Sequence, residues 1–296
     1  MKKRKNKVAD LAINIVCILL SLTCILPLVL VLSVSFSSES SIVEHGYKFL
    51  PTEISLDAYK YLWSMKDSII SAYGVTIIAT VIGTLVSVFV IALYAYALSR
   101  PNLLGKKFFT FYIFFTMLFS GGLVSWYMIC TRLLHIQNTI WALILPYVMN
   151  AWYVIIMRTF YNTSVPEALI ESARIDGASE FAILFKIVMP ISLPGIFTIA
   201  LFQTLTYWND WWLAINLITE PKLYNLQMYL QNLLANIENL KQNADLNAGM
   251  LIGMEELPSE GARMALCIVA MGPILVVYPF FQKYFIQGLT VGAVKG

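Results

Sequence analysis

Val165-Pro-Glu-Ala-Leu-Ile-Glu-Ser-Ala-Arg-Ile-Asp-Gly-Ala-Ser179 is a polar, charged island set between long apolar runs. Ser164 and Glu167 have the spacing of a capping box, in which each side chain satisfies a backbone N–H left free at a helix start. A helix is therefore predicted from about Val165. Pro166 falls in its first turn, where a missing N–H costs nothing, and Gly177 stands where a positive φ lets the chain turn sharply. The helix ends near Asp176, and Ser179 is placed to cap a second one running through Phe181, Phe185 and Val188 toward Pro190. Ala168, Ser172, Ala173 and Ala178 are small enough for another surface to approach the backbone, while Glu171, Arg174 and Asp176 offer charge to orient it. An ordinary solvated helix in a loop gives the same signals, and they do not separate the two.

What surrounds the island is apolar. Of 296 residues 59% are hydrophobic and 12% charged, and the mean hydropathy is +0.73. A soluble domain needs far more polar surface. A bilayer core about 30 Å thick calls for roughly 20 apolar residues per helix. Six runs supply them, approximately Leu11–Val34, Ser68–Leu98, Phe108–Cys130, Ile140–Phe160, Phe185–Leu217 and Arg263–Phe285. The expectation is an all-α membrane protein with six transmembrane helices.

Positive charge around short connections tends to stay on the cytoplasmic side. Lys2, Lys3, Arg4, Lys5 and Lys7 put the N-terminus inside, as do Arg100, Lys106 and Lys107 for the next inner connection. The 158–186 segment is then also inside, and six crossings return the C-terminus to the cytoplasm. The predicted division is a basic N-terminus over 1–10, a first crossing over 11–36, an extracellular segment over 37–67 and a core over 68–217 with the polar helix at 164–179. A second extracellular segment over 218–261, a last crossing over 262–285 and a cytoplasmic tail over 286–296 complete it. A cleaved signal peptide ending at Ser33-Val-Ser35 is the alternative for the start, although its apolar region exceeds the usual length of about 7–15 residues. The net charge of +3 reports orientation, and nothing in its distribution points to nucleic acid.

Within the first outer segment, Asp57, Tyr59, Leu62 and Trp63 suggest a short amphipathic helix lying along the membrane surface, with a plain packed loop helix as the alternative. The second, Thr219 to Gly261 with Glu255, Glu256 and Glu260, is too polar to span and too apolar to be disordered, so it reads as a helical cap. Cys17, Cys24, Cys130 and Cys267 lie in or beside apolar runs without the close Cys/His pairing that metal sites use. They read as buried small hydrophobes, with no metal.

Catalytic chemistry is missing. His45 and His135 are isolated, and no G-x-x-x-x-G-K-[ST] sequence is present to cradle nucleotide phosphates. A secondary transporter commonly places ionisable groups within its spans. Asp210 is the clearest such group here, a thin basis for ion coupling. Around it, Tyr207-Trp-Asn-Asp-Trp-Trp212 offers aromatic faces for sugar rings and side chains for hydroxyls, against the alternative of an interfacial aromatic belt. The candidate pathway set is Tyr73, Asn150, Gln203, Tyr207, Trp208, Asn209, Asp210 and Trp211, each of which can equally serve helix packing.

Glu171-Ser-Ala-Arg-Ile-Asp-Gly-Ala178, followed by Phe185, Ile187, Pro190 and Pro194, closely resembles the EAA motif of binding-protein-dependent ABC importer permeases of the carbohydrate-uptake group. Ser172 departs from the usual second Ala and is nearly as small. Phe285-Ile-Gln-Gly-Leu-Thr-Val-Gly-Ala-Val-Lys-Gly296 resembles the C-terminal tail of the second permease subunit of maltose-type importers. The resemblance implies a type I ABC importer permease fold whose cytoplasmic coupling helix, with Glu167, Glu171, Ser172, Ala173, Arg174, Asp176, Gly177 and Ala178, docks on an ATPase. It also implies a tail contact through Gly288, Gly292 and Lys295. The implied partners are a second homologous permease, two copies of a cytoplasmic ABC ATPase, an extracellular solute-binding protein, a carbohydrate substrate and membrane lipid. No cofactor is implied in this chain, since ATP and Mg belong to the ATPase. In the implied mechanism, alternating access, ATPase closure moves the 167–179 helix as a lever and the attached fifth run carries the motion to the pathway. Oligosaccharides from a complex polysaccharide fit the pattern best, with glycerol-phosphate and disaccharide importers left open. A membrane scaffold or sensor using the same helix without moving solute is the alternative from another class.

Overall fold

A computed structural model describes residues 7–246 and 259–293. Among these residues the regular structure is helical, apart from one isolated antiparallel bridge between Ser37 and Ile54. The first apolar run is a single helix, α1 (Lys7–Ser35), with the short α2 (Glu39–His45) and α3 (Asp57–Ser64) after it. The second run is α4 (Lys66–Ser99), 34 residues without a break. Both α1 and α4 are long and apolar enough to cross a membrane.

The next three runs are bent, and in each the sequence carries a reason. Helices α5 (Lys106–Leu118) and α6 (Gly122–Met128), the latter continued by a π turn to Leu133, meet at 117°. Ser120-Gly-Gly122 lies at that break, and Gly122 has φ +77°. Two 3-10 turns over Ile140–Tyr147 meet α7 (Ala151–Ser164) at 51°. Pro146 cannot extend a helical ladder, and Asn150 restarts the chain by accepting from Trp152 N–H at 2.9 Å. Beyond α8 (Glu167–Ile175) and α9 (Glu180–Ile183), a π turn over Leu184–Val188 leads through α10 (Met189–Ile191) to α11 (Leu193–Trp208), with a bend of 82° at Ser192. Pro190 and Pro194 flank it. Six apolar runs thus become α1, α4, three bent pairs and α14 (Ser259–Ala293), which carries the last run. Interrupted backbone at membrane depth is tolerated where it is buried in protein or lines a cavity.

The chain forms two compact units. One comprises Met1–Asp67 with Leu230–Gly272. In it Ser38 caps α2, accepting from Ser41 N–H. The Glu39 carboxylate accepts from Glu260 N–H at 3.1 Å and Gly261 N–H at 3.2 Å, placing an anion at the start of α14, where free backbone donors favour one. Helix α3 has the amphipathic form expected: Ala58 and Leu62 are buried and Trp63 is exposed. Ser55 donates to the Asp57 carboxylate at 2.6 Å and Lys60 lies 2.9 Å away, which together hold that carboxyl below its ordinary range. Along α1 the side chains from Leu11 to Leu28 are exposed, as suits a helix facing lipid. Cys17 and Cys24 are among them and Cys267 is only half-buried, so of the four cysteines expected to be buried only Cys130 is: a thiol in apolar surroundings is equally at home against lipid.

The other unit comprises Ser68–Tyr229 with Pro273–Gly296. One end of its core gathers Ile91, Ala95, Tyr96, Val154, Met157, Tyr161, Ile170, Ile183 and Ile199. A second cluster gathers Ala79, Cys130, Leu143, Ile144, Leu213 and Leu217, the last two from α12 (Trp212–Leu217). Helix α4 contributes to both clusters.

Candidate functional site

The polar island folds as two short helices around one turn, with boundaries that differ from the capping-box expectation. Ser164 is the last residue of α7, and its hydroxyl is buried with no partner among the described residues. Val165 is extended at φ −107°, ψ 112°, because a residue preceding proline is excluded from helical backbone. Pro166 therefore caps α8 without a side-chain hydrogen bond, and the box does not form. The far end follows the expectation. Gly177 has φ +79°, Gly177 N–H donates to Arg174 C=O at 3.0 Å and Ala178 N–H to Ala173 C=O at 2.9 Å, the paired bonds of a Schellman turn. Ser179 then caps α9, accepting from Ala182 N–H.

The faces of α8 differ from the sequence reading. Ile170 and Ala173 are buried against the α4–α7 core, and Ala178 packs on the same cluster. The small Ala173 and Ala178 let α8 lie close to its own chain. Glu167, Ala168, Glu171, Ser172, Asp176 and Gly177 face outward. Beside them Ile175 is 86% exposed, with Leu169 and Phe181 also exposed. These apolar side chains were missed in the sequence, although Ile175 stands five residues beyond Ile170 and so off its face. Arg174 is held within this chain, its Nη2 lying 2.7 Å from Glu180 Oε1.

Of the expected tail contacts, Gly288 and Gly292 lie on α14, which continues to Ala293, and Lys295 lies outside the described residues. Glu255 and Glu256 also lie outside them, while α13 (Leu226–Leu246) is the helix of the second outer segment.

The pathway set divides in two. Gln203, Tyr207, Trp208 and Asp210 are buried. Tyr147 donates to Asp210 Oδ1 at 3.0 Å, as does Leu213 N–H at 3.1 Å, and the Asn225 amide donates to Asp210 Oδ2 at 3.2 Å and to its carbonyl at 2.6 Å. Asp210 thus caps the start of α12 and ties it to the residue before α13. Tyr207 donates to Ile144 C=O at 3.0 Å and meets Ser87 at 3.0 Å, its ring lying over Gly83. Gln203 donates to Tyr147 C=O at 3.2 Å, while its Oε1 has no partner among the described residues. Of the other members only Tyr73 touches this group. Tyr73 meets the Trp208 ring at 6.3 Å, Asn150 caps α7, Asn209 bonds back to Leu205 C=O, and Trp211 is exposed. Nothing local marks Tyr147, Ser87 or Asn225, whose importance arises only from their distant partners.

An all-α core with interrupted helices and a short, outward-facing helix on a glycine turn is what a type I importer permease subunit is expected to show. A family model described as "Binding-protein-dependent transport system inner membrane component" matches residues 89–291, and the chain belongs to that family. It is 38% identical over 298 residues to "Polygalacturonan/rhamnogalacturonan transport system permease protein YtcP" of Bacillus subtilis (strain 168), covering 99% of this chain and 100% of the relative. It is 28% identical over 284 residues to "Maltodextrin transport system permease protein MalD" of Streptococcus pneumoniae (strain ATCC BAA-255 / R6), covering 94% and 92%. A solved structure, "Crystal structure of a bacterial ABC transporter involved in the import of the acidic polysaccharide alginate", contains a chain similar at TM-score 0.79 and 28% identity, covering 96% of this chain and 99% of that one. The family assignment and these likenesses make the protein a membrane-embedded ABC importer permease.

Proposed function

We propose that this permease imports oligosaccharides derived from an acidic polysaccharide, working with a second, related permease, two ATPase copies that hold ATP and Mg, and an external solute-binding protein. Both termini and the α8 turn face the cytoplasm in this reading, in keeping with the placement of Lys and Arg around the short connections. The observation that carries the ATPase contact is the outer face of α8, where Ile175 projects beside Glu171, Asp176 and Gly177 on a helix anchored from behind by Ile170 and Ala173. An exposed apolar side chain rimmed by polar groups is the form of an interface anchor. The substrate class rests on the relatives, one named for polygalacturonan and rhamnogalacturonan and one, the solved structure, for import of the acidic polysaccharide alginate.

The test is uptake into vesicles holding the full assembly. Labelled oligogalacturonides are expected to accumulate only with ATP and the binding protein. Burying an Ile side chain is worth about 1.5–3 kcal/mol, so Ile175→Asp is expected to weaken ATPase retention on the purified permease pair by at least about tenfold. Wild-type retention and uptake in that variant would overturn the docking face, and ATPase binding without solute accumulation would favour a sensor.

A further inference from the structure

The fifth run, which follows α8 in the chain, is poorly built to transmit a push from it. Between α9 and α11 the π turn at Leu184–Val188 shifts the register of the helical hydrogen bonds, and the axis bends by 82° at Ser192 with Pro190 and Pro194 on either side. A push along α9 is therefore not collinear with α11. Helix α4, by contrast, has no proline and runs unbroken for 34 residues, about 51 Å at 1.5 Å per residue. Its last turn carries Tyr96. About 14–20 Å back along the same rod at that rise, Ser87, Thr84 and Gly83 meet Tyr207 and Thr204 of α11.

Glu180 connects the turn to that rod. Its Oε1 accepts from Arg174 Nε at 2.9 Å and lies 2.7 Å from Arg174 Nη2, while its Oε2 accepts from the Tyr96 hydroxyl at 2.5 Å. The Arg100 guanidinium sits 5.0 Å over the Tyr96 ring and adds a further hold on that side chain. One carboxylate thus spans the end of α8, the start of α9 and the end of α4. Arg174 and Glu180 are each a third or more exposed, so the pair adds little to stability. What it provides is direction, since both carboxylate oxygens are committed to donors on different helices.

We infer that Glu180 is a positioning residue for energy coupling, joining α8 to α4 so that a displacement of α8 enters the transport core through α4 rather than along the fifth run. This rests on the proposed docking of α8 to an ATPase. The experiment uses the complete importer in vesicles and measures ATPase retention, binding-protein-stimulated hydrolysis, and solute taken up per ATP. Glu180→Gln and Tyr96→Phe are expected to leave retention and hydrolysis within about twofold while uptake per ATP falls about tenfold, the change that about 1.4 kcal/mol produces. Arg174→Gln, which removes the hold on α8 while leaving the Tyr96 bond, is expected to lower the same ratio. Unchanged uptake per ATP in Glu180→Gln and Tyr96→Phe overturns the inference. So does a parallel fall of all three readouts. Failure of the ATPase to co-purify with the wild-type pair defeats the docking proposal itself, and the inference with it.

Discussion

Gly83→Ala probes the closest packing in the transport core. A Cβ at Gly83 meets the Tyr207 ring at 2.5 Å from Cζ and 2.7 Å from both Cε atoms, so the ring must retreat about 0.9 Å to reach ordinary contact. It has little freedom to do so, because its hydroxyl is bonded at 3.0 Å to both Ser87 and Ile144 C=O. Overpacking of this kind costs about 1–3 kcal/mol, and losing one of those bonds adds about 0.5–1.5. Replacing a helical glycine by alanine returns about 0.5–1 kcal/mol, leaving a net loss of roughly 1–3. Gly74→Ala is the control: it lies on the same helix with nothing within 4 Å of the added carbon and is expected to be neutral or stabilising by about 0.5–1 kcal/mol. The assay is equilibrium unfolding in mixed micelles titrated with a denaturing detergent, followed by tryptophan fluorescence. Equal stability of the two variants would refute a tight α4–α11 contact.

Asp210→Ala strands the Tyr147 hydroxyl and Leu213 N–H in a buried site and leaves the Asn225 amide only its bond to the backbone carbonyl, so unfolding is expected to ease by about 2–4 kcal/mol, with Asp210→Asn milder. In the same measurement, an Asp210→Ala protein of wild-type stability whose uptake shows only a raised KM would instead make Asp210 a sugar contact. Ser164→Ala is expected to lie within about 0.5 kcal/mol of wild type in unfolding, since its hydroxyl has no partner among the described residues, whereas loss of a working cap costs about 1. Gly177→Ala meets no atom within 4 Å but places a side chain at φ +79°, a strain of about 1–2 kcal/mol expected to speed hydrogen exchange at Ala178 N–H without expelling the chain from the membrane.

Much of the site was legible because its signals are local. Gly177 and Ser179 act on backbone within a few residues, so their turn and cap follow from the sequence. Ser164 failed because the restriction that Pro166 imposes on Val165 outranks a favourable side-chain spacing. Arg174 was read as outward-facing because a charge on a short helix has no visible partner in sequence, yet Glu180 stands six residues on, across the turn. Tyr207 and Asp210 were recognised as unusual, but whether an aromatic or an acid faces a path or a core depends on Gly83, Ser87, Tyr147 and Asn225, which come from three other stretches of chain.

Hydrophobicity and residue spacing by themselves determined that this is a helical membrane protein with six apolar runs and a short polar helix ending in a glycine turn, because transfer to lipid and local hydrogen bonding act within a turn or two of helix. Only the tertiary structure decided which face of α8 looks outward and that Glu180 joins α8 to α4. Those outcomes depend on side chains brought together from distant parts of the chain, where packing and hydrogen-bond geometry rather than local preference select the partner.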